Sequence, residues 1–211
     1  MRVEALDERA GPVPEKWIVT ARRLNPGSGA GRPAWIGILS EEGLRALRRR
    51  GHRALAGGCA PELPADAVRF VDASHGPAFD SSSDRRAAAL FESPFPELPV
   101  VIASSDGHGS AELELSIQPD LACLRGHFPA LPLVPGAAQL GWALAFAAEK
   151  LGLTPHCRAL RAVKFERIIQ PGHRVFLHIE RSRDSSILRF RYVSGSGRHS
   201  QGRIETGAFD G

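Results

Sequence analysis

The sequence predicts an α+β chain in two unequal parts: a small N-terminal α/β appendage, then an antiparallel sheet curled around one buried helix. Three observations carry this. Apolar residues alternate with polar ones through Leu113, Leu115 and Ile117, through Val175, Leu177 and Ile179, and through Leu188, Phe190 and Tyr192. That is the period of half-buried strands. The segment Gly136–Leu151 is apolar around nearly its whole helical circumference, with Gln139 as the only polar side chain before Glu149, so other structure must wrap it. At 1.5 Å per residue it is about 24 Å long, too short for a bilayer and long enough to run the width of a sheet. Finally, the run Pro94-Phe95-Pro96-Glu97-Leu98-Pro99 breaks helix and strand alike and separates residues 1–93 from a second domain over 98–208. A chain of 211 residues suits one full domain with a smaller companion.

The elements follow in order. Lys16–Arg22 and Ala34–Leu39 read as strands, and Glu41–Arg50 as a helix. That helix has Glu41 and Glu42 in its first turn and Arg48, Arg49 and Arg50 in its last, which suits the helix dipole, with Gly51 as a stop. Asn25–Gly31 and the Gly57-Gly58 pair read as turns. Val68–Val71 is a short strand and Asp84–Phe91 a second helix. After the proline-rich hinge come the alternating strands and the buried helix, and Ser194–Gly197 turns the chain into a last strand through Gly202–Thr206.

Composition narrows the function classes. The net charge of +4 comes from arginines scattered along the chain, without the basic block and interleaved aromatics of a nucleic-acid surface. No apolar run approaches the roughly 18 residues that span a membrane. The opening residues Met1–Trp17 are polar and acidic, which predicts no secretory signal and a cytoplasmic location. Cys59, Cys123 and Cys157 form no C-x-x-C pair, so neither a disulfide framework nor a metal site is expected.

The most informative stretch is Arg125-Gly-His-Phe-Pro-Ala-Leu-Pro-Leu-Val-Pro-Gly-Ala-Ala-Gln-Leu-Gly-Trp142. Pro135 is placed to start the helix, and a proline-braced loop carries His127. The run resembles the H-F-P-x-x-P-x-x-P-G motif of the 3-hydroxyacyl-acyl-carrier-protein dehydratases. Lys164-Phe165-Glu166-Arg167 and the following Pro171-Gly172 resemble their next strand and turn. Within that family the helix is similar to the P-G-V-x-Q-L-D-W of aryl polyene pathway domains. The resemblance implies the hotdog fold, a homodimer, an acyl carrier protein as partner, and no cofactor. It implies His127 as the base that removes the proton beside the thioester carbonyl. It implies Phe128, Pro129, Pro135, Gln139, Gly141 and Trp142 around the acyl chain. The family's acidic helix residue corresponds to Gly141.

The chemistry states its own needs. A thioester α-proton is weakly acidic, so charge on the carbonyl oxygen requires a preorganised donor, and the free N–H at Gly136 suits that role. Hydroxide leaves poorly, and a positioned general acid contributes about 10² to 10⁴ in rate. Gly141 supplies none. Three readings stay open: a dehydratase in which His127 plays both proton roles or borrows Gln139, Glu166 or a water; a non-catalytic carrier-binding or assembly subunit; and a hotdog thioesterase. Arg125, Arg158, Arg161, Lys164 and Arg167 read either as an entrance for an acidic carrier or as solvated charge. The remaining histidines, among them His178 and His199, read as solvated or locally hydrogen-bonded.

The first third resembles the small C-terminal subdomain of adenylate-forming acyl ligases, through Arg69-Phe-Val-Asp-Ala73, the helix ending Ala-Ala-Leu-Phe91 and the Glu41–Arg50 helix. Asp80-Ser81 stands near where that subdomain carries Gly-Lys, so adenylation is not expected.

Overall fold

The computed structural model describes residues 14–25, 32–73, 84–125, 128, 130–182 and 186–207. The chain divides into two units, one made of Met1–Pro96 with Gln118–Pro132 and the other of Glu97–Ile117 with Leu133–Gly211. The main division falls in the proline-rich hinge. Gln118–Pro132, which lies inside the predicted 98–208 span, groups with the first unit.

In the first unit, β1 (Ile18–Leu24) pairs antiparallel with β2 (Ala34–Leu39), and β2 pairs parallel with β3 (Val68–Val71). The first strand starts two residues later than its periodicity suggests, because Glu15–Trp17 forms a short 3-10 turn that buries Trp17. Helix α1 (Glu41–Cys59) opens on Ser40, whose hydroxyl accepts the Gly43 N–H at 3.1 Å, the usual N-cap bond. The predicted stop at Gly51 is a kink, with φ at 78°, and the helix resumes through Gly57 and Gly58 to Cys59. Burial explains the continuation: Leu55 and Ala56 carry the apolar face on, joining Leu44, Leu47, Val68 and Phe70 in one core. Helix α2 (Asp84–Glu92) packs Ala87 and Ala88 against Leu24, Ile36 and Val71 in a second cluster.

In the second unit, six antiparallel strands run in the order β4-β5-β7-β8-β9-β6, namely β4 (Val100–Gly107), β5 (Ser110–Ser116), β6 (Cys157–Phe165), β7 (Arg174–Arg181), β8 (Ile187–Ser194) and β9 (Gly197–Thr206). Register aligns the apolar positions on one face: Leu113 opposite Leu177, Leu177 opposite Tyr192, and Leu188 opposite Ile204. Helix α3 (Gly136–Leu151) lies on β5, β7 and β8 and ends at Gly152, whose φ of 61° closes the helix in the left-handed conformation. Its buried stripe is Gln139, Trp142, Ala143, Phe146 and Ala147. The sheet covers that stripe, while Ala137, Gly141 and Glu149 stay exposed. A single antiparallel sheet curled on one helix is the hotdog fold.

No helix among the described residues is long and apolar enough to cross a membrane.

Candidate active site

Of the sequence motif, residues 125–132 group with the first unit and 133–142 with the second. Gly126, His127 and Pro129 lie outside the described residues. Their neighbours belong to the first unit. Ala122–Leu124 forms a short 3-10 turn closed by the Arg125 N–H on the Ala122 carbonyl at 3.1 Å. The Arg125 guanidinium lies over the Phe95 ring, 4.0 Å from its centre. Phe128 has φ at 53° and is 57% exposed. A bulky residue in the left-handed region is strained, and such strain concentrates at functional loops. The Phe128 carbonyl accepts the Leu131 N–H at 2.8 Å.

The rest of the motif starts α3 in the second unit. Pro135 sits at the N-cap with no side chain to bond the first turn, so the N–H groups of that turn are not capped from there. Val134 is fixed by its N–H on the Ile169 carbonyl at 2.8 Å. The Phe165 ring lies against Gly136 so closely that a Cβ there would come within 2.6 Å of Cζ. A side chain at this position would have to push that ring aside.

Gln139 is buried and engaged. The Ser200 hydroxyl donates to its side-chain oxygen at 2.6 Å, its own amide donates to the Val134 carbonyl at 3.3 Å, and the Tyr192 hydroxyl donates to its backbone carbonyl at 2.8 Å. These bonds tie the first turn of α3 to β8 and β9. Burial pushes the Tyr192 phenol well above its ordinary range, so it stays a donor. Sequence reading missed Tyr192 and Ser200 as partners of the helix. Nothing local in the sequence marks them, because they lie 53 and 61 positions from Gln139.

Gly141 is exposed, and a Cβ built on it meets nothing within 4 Å. Trp142 is core, with its indole N–H on the Glu97 carbonyl at 2.8 Å. Glu166 is paired with Arg198 at 2.8 Å, and Arg161 with Glu205 at 2.7 Å. His178 contacts Glu112 at 2.8 Å. His199 is buried between the Ile168 carbonyl, 3.1 Å from Nδ1, and the Ser194 hydroxyl, 2.8 Å from Nε2. A carbonyl only accepts, so Nδ1 carries the proton. Burial holds this imidazole below its usual range. Cys59 and Cys123 are thiols pushed up to about 11 by burial. Among the described residues no three His, Cys, Asp or Glu side chains gather as a metal site would require.

Residues 103–203 match the model of the ApeI-like family, described as ApeI dehydratase. A chain of the dehydratase heterocomplex ApeI:P from Xenorhabdus doucetiae is 32% identical, over 52% of this chain and 98% of that one, with a TM-score of 0.48. Through this domain the chain belongs to the ApeI-like dehydratase family. An uncharacterised protein from Erwinia carotovora subsp. atroseptica is 30% identical over 53% of this chain and 97% of that one, with a TM-score of 0.46. The dehydratase domain of the polyketide PpsC from Mycobacterium tuberculosis is 22% identical over 55% of this chain and 46% of that one, with a TM-score of 0.36. No curated protein matches the chain. His127, Gly136 and Gly141 fall inside the ApeI-like segment, and residues 1–102 lie outside it.

Proposed function

We propose that this protein removes water from 3-hydroxyacyl thioesters carried on an acyl carrier protein, giving the trans-2-enoyl thioester. The observation that carries the reading is the start of α3, where Pro135 offers no side-chain cap to the first turn, next to Gly136, whose bare Cα is covered by the Phe165 ring. In this reading His127 takes the proton at C2, and charge moves onto the thioester carbonyl oxygen. The Gly136 N–H and the helix dipole meet that charge. The C2–C3 double bond then forms as the C3 hydroxyl leaves, taking its proton from the imidazolium or from water. Phe128, Pro129, Pro135, Gln139, Gly141 and Trp142 border the acyl chain. The bonds on Gln139 suit it to shaping the helix start rather than to moving protons. The protein is cytoplasmic and homodimeric in this reading, and its first unit descends from the C-terminal subdomain of an acyl ligase.

One observation favours a second reading. Gly141 is exposed with open space beside it and carries no acid, and the 32% identical relative is part of a heterocomplex. The chain then binds the acylated carrier and depends on a second subunit for the missing proton donor.

A turnover assay on a 3-hydroxyacyl carrier protein separates the readings. Dehydratase action is expected from the wild type and is expected to be lost in His127→Ala. Gly141→Asp, which meets no steric obstacle, is expected to raise the rate. A wild type that binds the carrier without turnover supports the second reading, and release of free acid supports thioester hydrolysis instead.

A further inference from the structure

A cavity of about 220 Å³ lies in the first unit, and none of the described residues lining it belongs to α3 or to the sheet of the second unit. Its walls are apolar and largely aromatic, with Val68, Phe70, Phe95 and Phe128 among them. An apolar cavity of about 150 Å³ takes up benzene in another protein, so this one has room for a substituted ring. Two acceptors without a partner among the described residues belong to residues of this lining. The Asp120 side chain, 1% exposed, accepts from Arg69 through Oδ2 at 2.7 Å, while its buried Oδ1 makes no hydrogen bond. A buried acceptor left unmade costs stability. His52 stands edge-on to Phe70, with ring centroids 5.1 Å apart, and places Nε2 3.1 Å from the Val68 carbonyl. A carbonyl only accepts, so Nε2 carries the proton and Nδ1 keeps its lone pair. Burial holds this imidazole below its usual range, so it is neutral near pH 7.

Two guanidinium groups complete the lining. Arg53 and Arg125 are exposed and pair with no carboxylate among the described residues, unlike Arg23 with Glu62 or Arg32 with Asp66. Arg125 instead lies over the ring of Phe95, itself a wall residue, 4.0 Å from its centre. Arginine presents a planar fork of donors that matches a carboxylate. The cavity thus combines aromatic walls, acceptors that lack a donor, and cations that lack an anion. We propose that the first unit binds a small aromatic carboxylate whose ring bears an N–H or O–H donor. The ring lies against Phe70 and Phe95, the donor meets Asp120 or His52, and the carboxylate meets Arg53 and Arg125. Such binding requires neither His127 nor turnover, so it stands or falls apart from the dehydratase reading.

The test titrates the full chain with 3- and 4-aminobenzoate, followed by NMR. Benzoate, which lacks the donor, and aniline, which lacks the carboxylate, serve as controls. At least one aminobenzoate is expected to bind saturably with Kd below about 1 mM, a modest affinity for one ring with two polar groups. Its ring protons are expected to show NOEs to the Phe70 and Phe95 rings. Benzoate is expected to bind at least about tenfold more weakly, the worth of a hydrogen bond to a charged acceptor. Arg53→Gln, a surface change, is expected to weaken the aminobenzoate about fivefold and to leave aniline within about twofold of wild type. Asp120→Asn keeps the volume and is expected to bring the aminobenzoate down to the affinity of benzoate; should that variant not fold, the benzoate comparison and Arg53→Gln decide. Absence of saturable binding up to about 10 mM means a cavity for water alone and overturns the proposal. NOEs that place the ring elsewhere, equal affinity for benzoate and both aminobenzoates, or wild-type binding in Arg53→Gln overturn it as well.

Discussion

Gly136 shows how one missing methyl group serves the site. An added Cβ meets the tip of the Phe165 ring, a side-chain group that is 51% exposed and so borders solvent into which it can be displaced. Alanine also gains roughly 0.5–1 kcal/mol over glycine inside a helix. Gly136→Ala is therefore expected to leave the melting temperature nearly unchanged and to lower turnover at least tenfold, by placing a methyl group and a displaced ring where the thioester must approach. A parallel loss of stability and activity would mean that the glycine serves packing alone. His199 provides the pH-dependent counterpart. Its folded value lies below its unfolded one, so the unfolded chain binds the extra proton between the two. The stability it contributes is complete above about pH 6.5 and is lost as pH falls through the lower folded value. Denaturant midpoints should fall on acidification below pH 6.5, and His199→Gln should flatten that slope. The bland reading of this histidine as locally hydrogen-bonded was legible from its surroundings. The Tyr192 and Ser200 partners of Gln139 were not, because such bonds join residues more than fifty positions apart that only strand register brings together.

Among the elements, those with a clean period were readable to the residue. β2, β3 and α3 have the predicted bounds, and α2 differs by one residue. The misses have two causes. β4 is an edge strand whose residues are all exposed, with a register shift after Val101, so it buries no alternating set and leaves no period-2 signal. α1 passes the glycine that should end it because the next turns bury Leu55 and Ala56, and tertiary packing outweighs a local stop. The N-cap of that helix gives a separate check. Ser40 holds both the Gly43 N–H and, by donating from its hydroxyl, the Lys16 carbonyl at 2.7 Å. Ser40→Ala is expected to cost about 1–2 kcal/mol in chemical denaturation, whereas a change under a few tenths would show that solvent replaces the cap.

At the scale of the whole molecule, composition, hinge and helix were enough to give the hotdog domain, and the HFP…PG run was enough to give its family. The grouping of Gln118–Pro132 with the first unit was not legible, since contacts such as that of Arg69 with Asp120 join residues 51 positions apart. In the proposed reaction, with no acid at Gly141, the chemistry depends on His127. The most direct test incubates the purified chain alone with a 3-hydroxyacyl carrier protein and measures the carrier-bound product by mass. The account predicts loss of one water with the wild type and a rate at least about a hundredfold lower with His127→Ala. No water loss from the wild type, or equal loss from both, would contradict it.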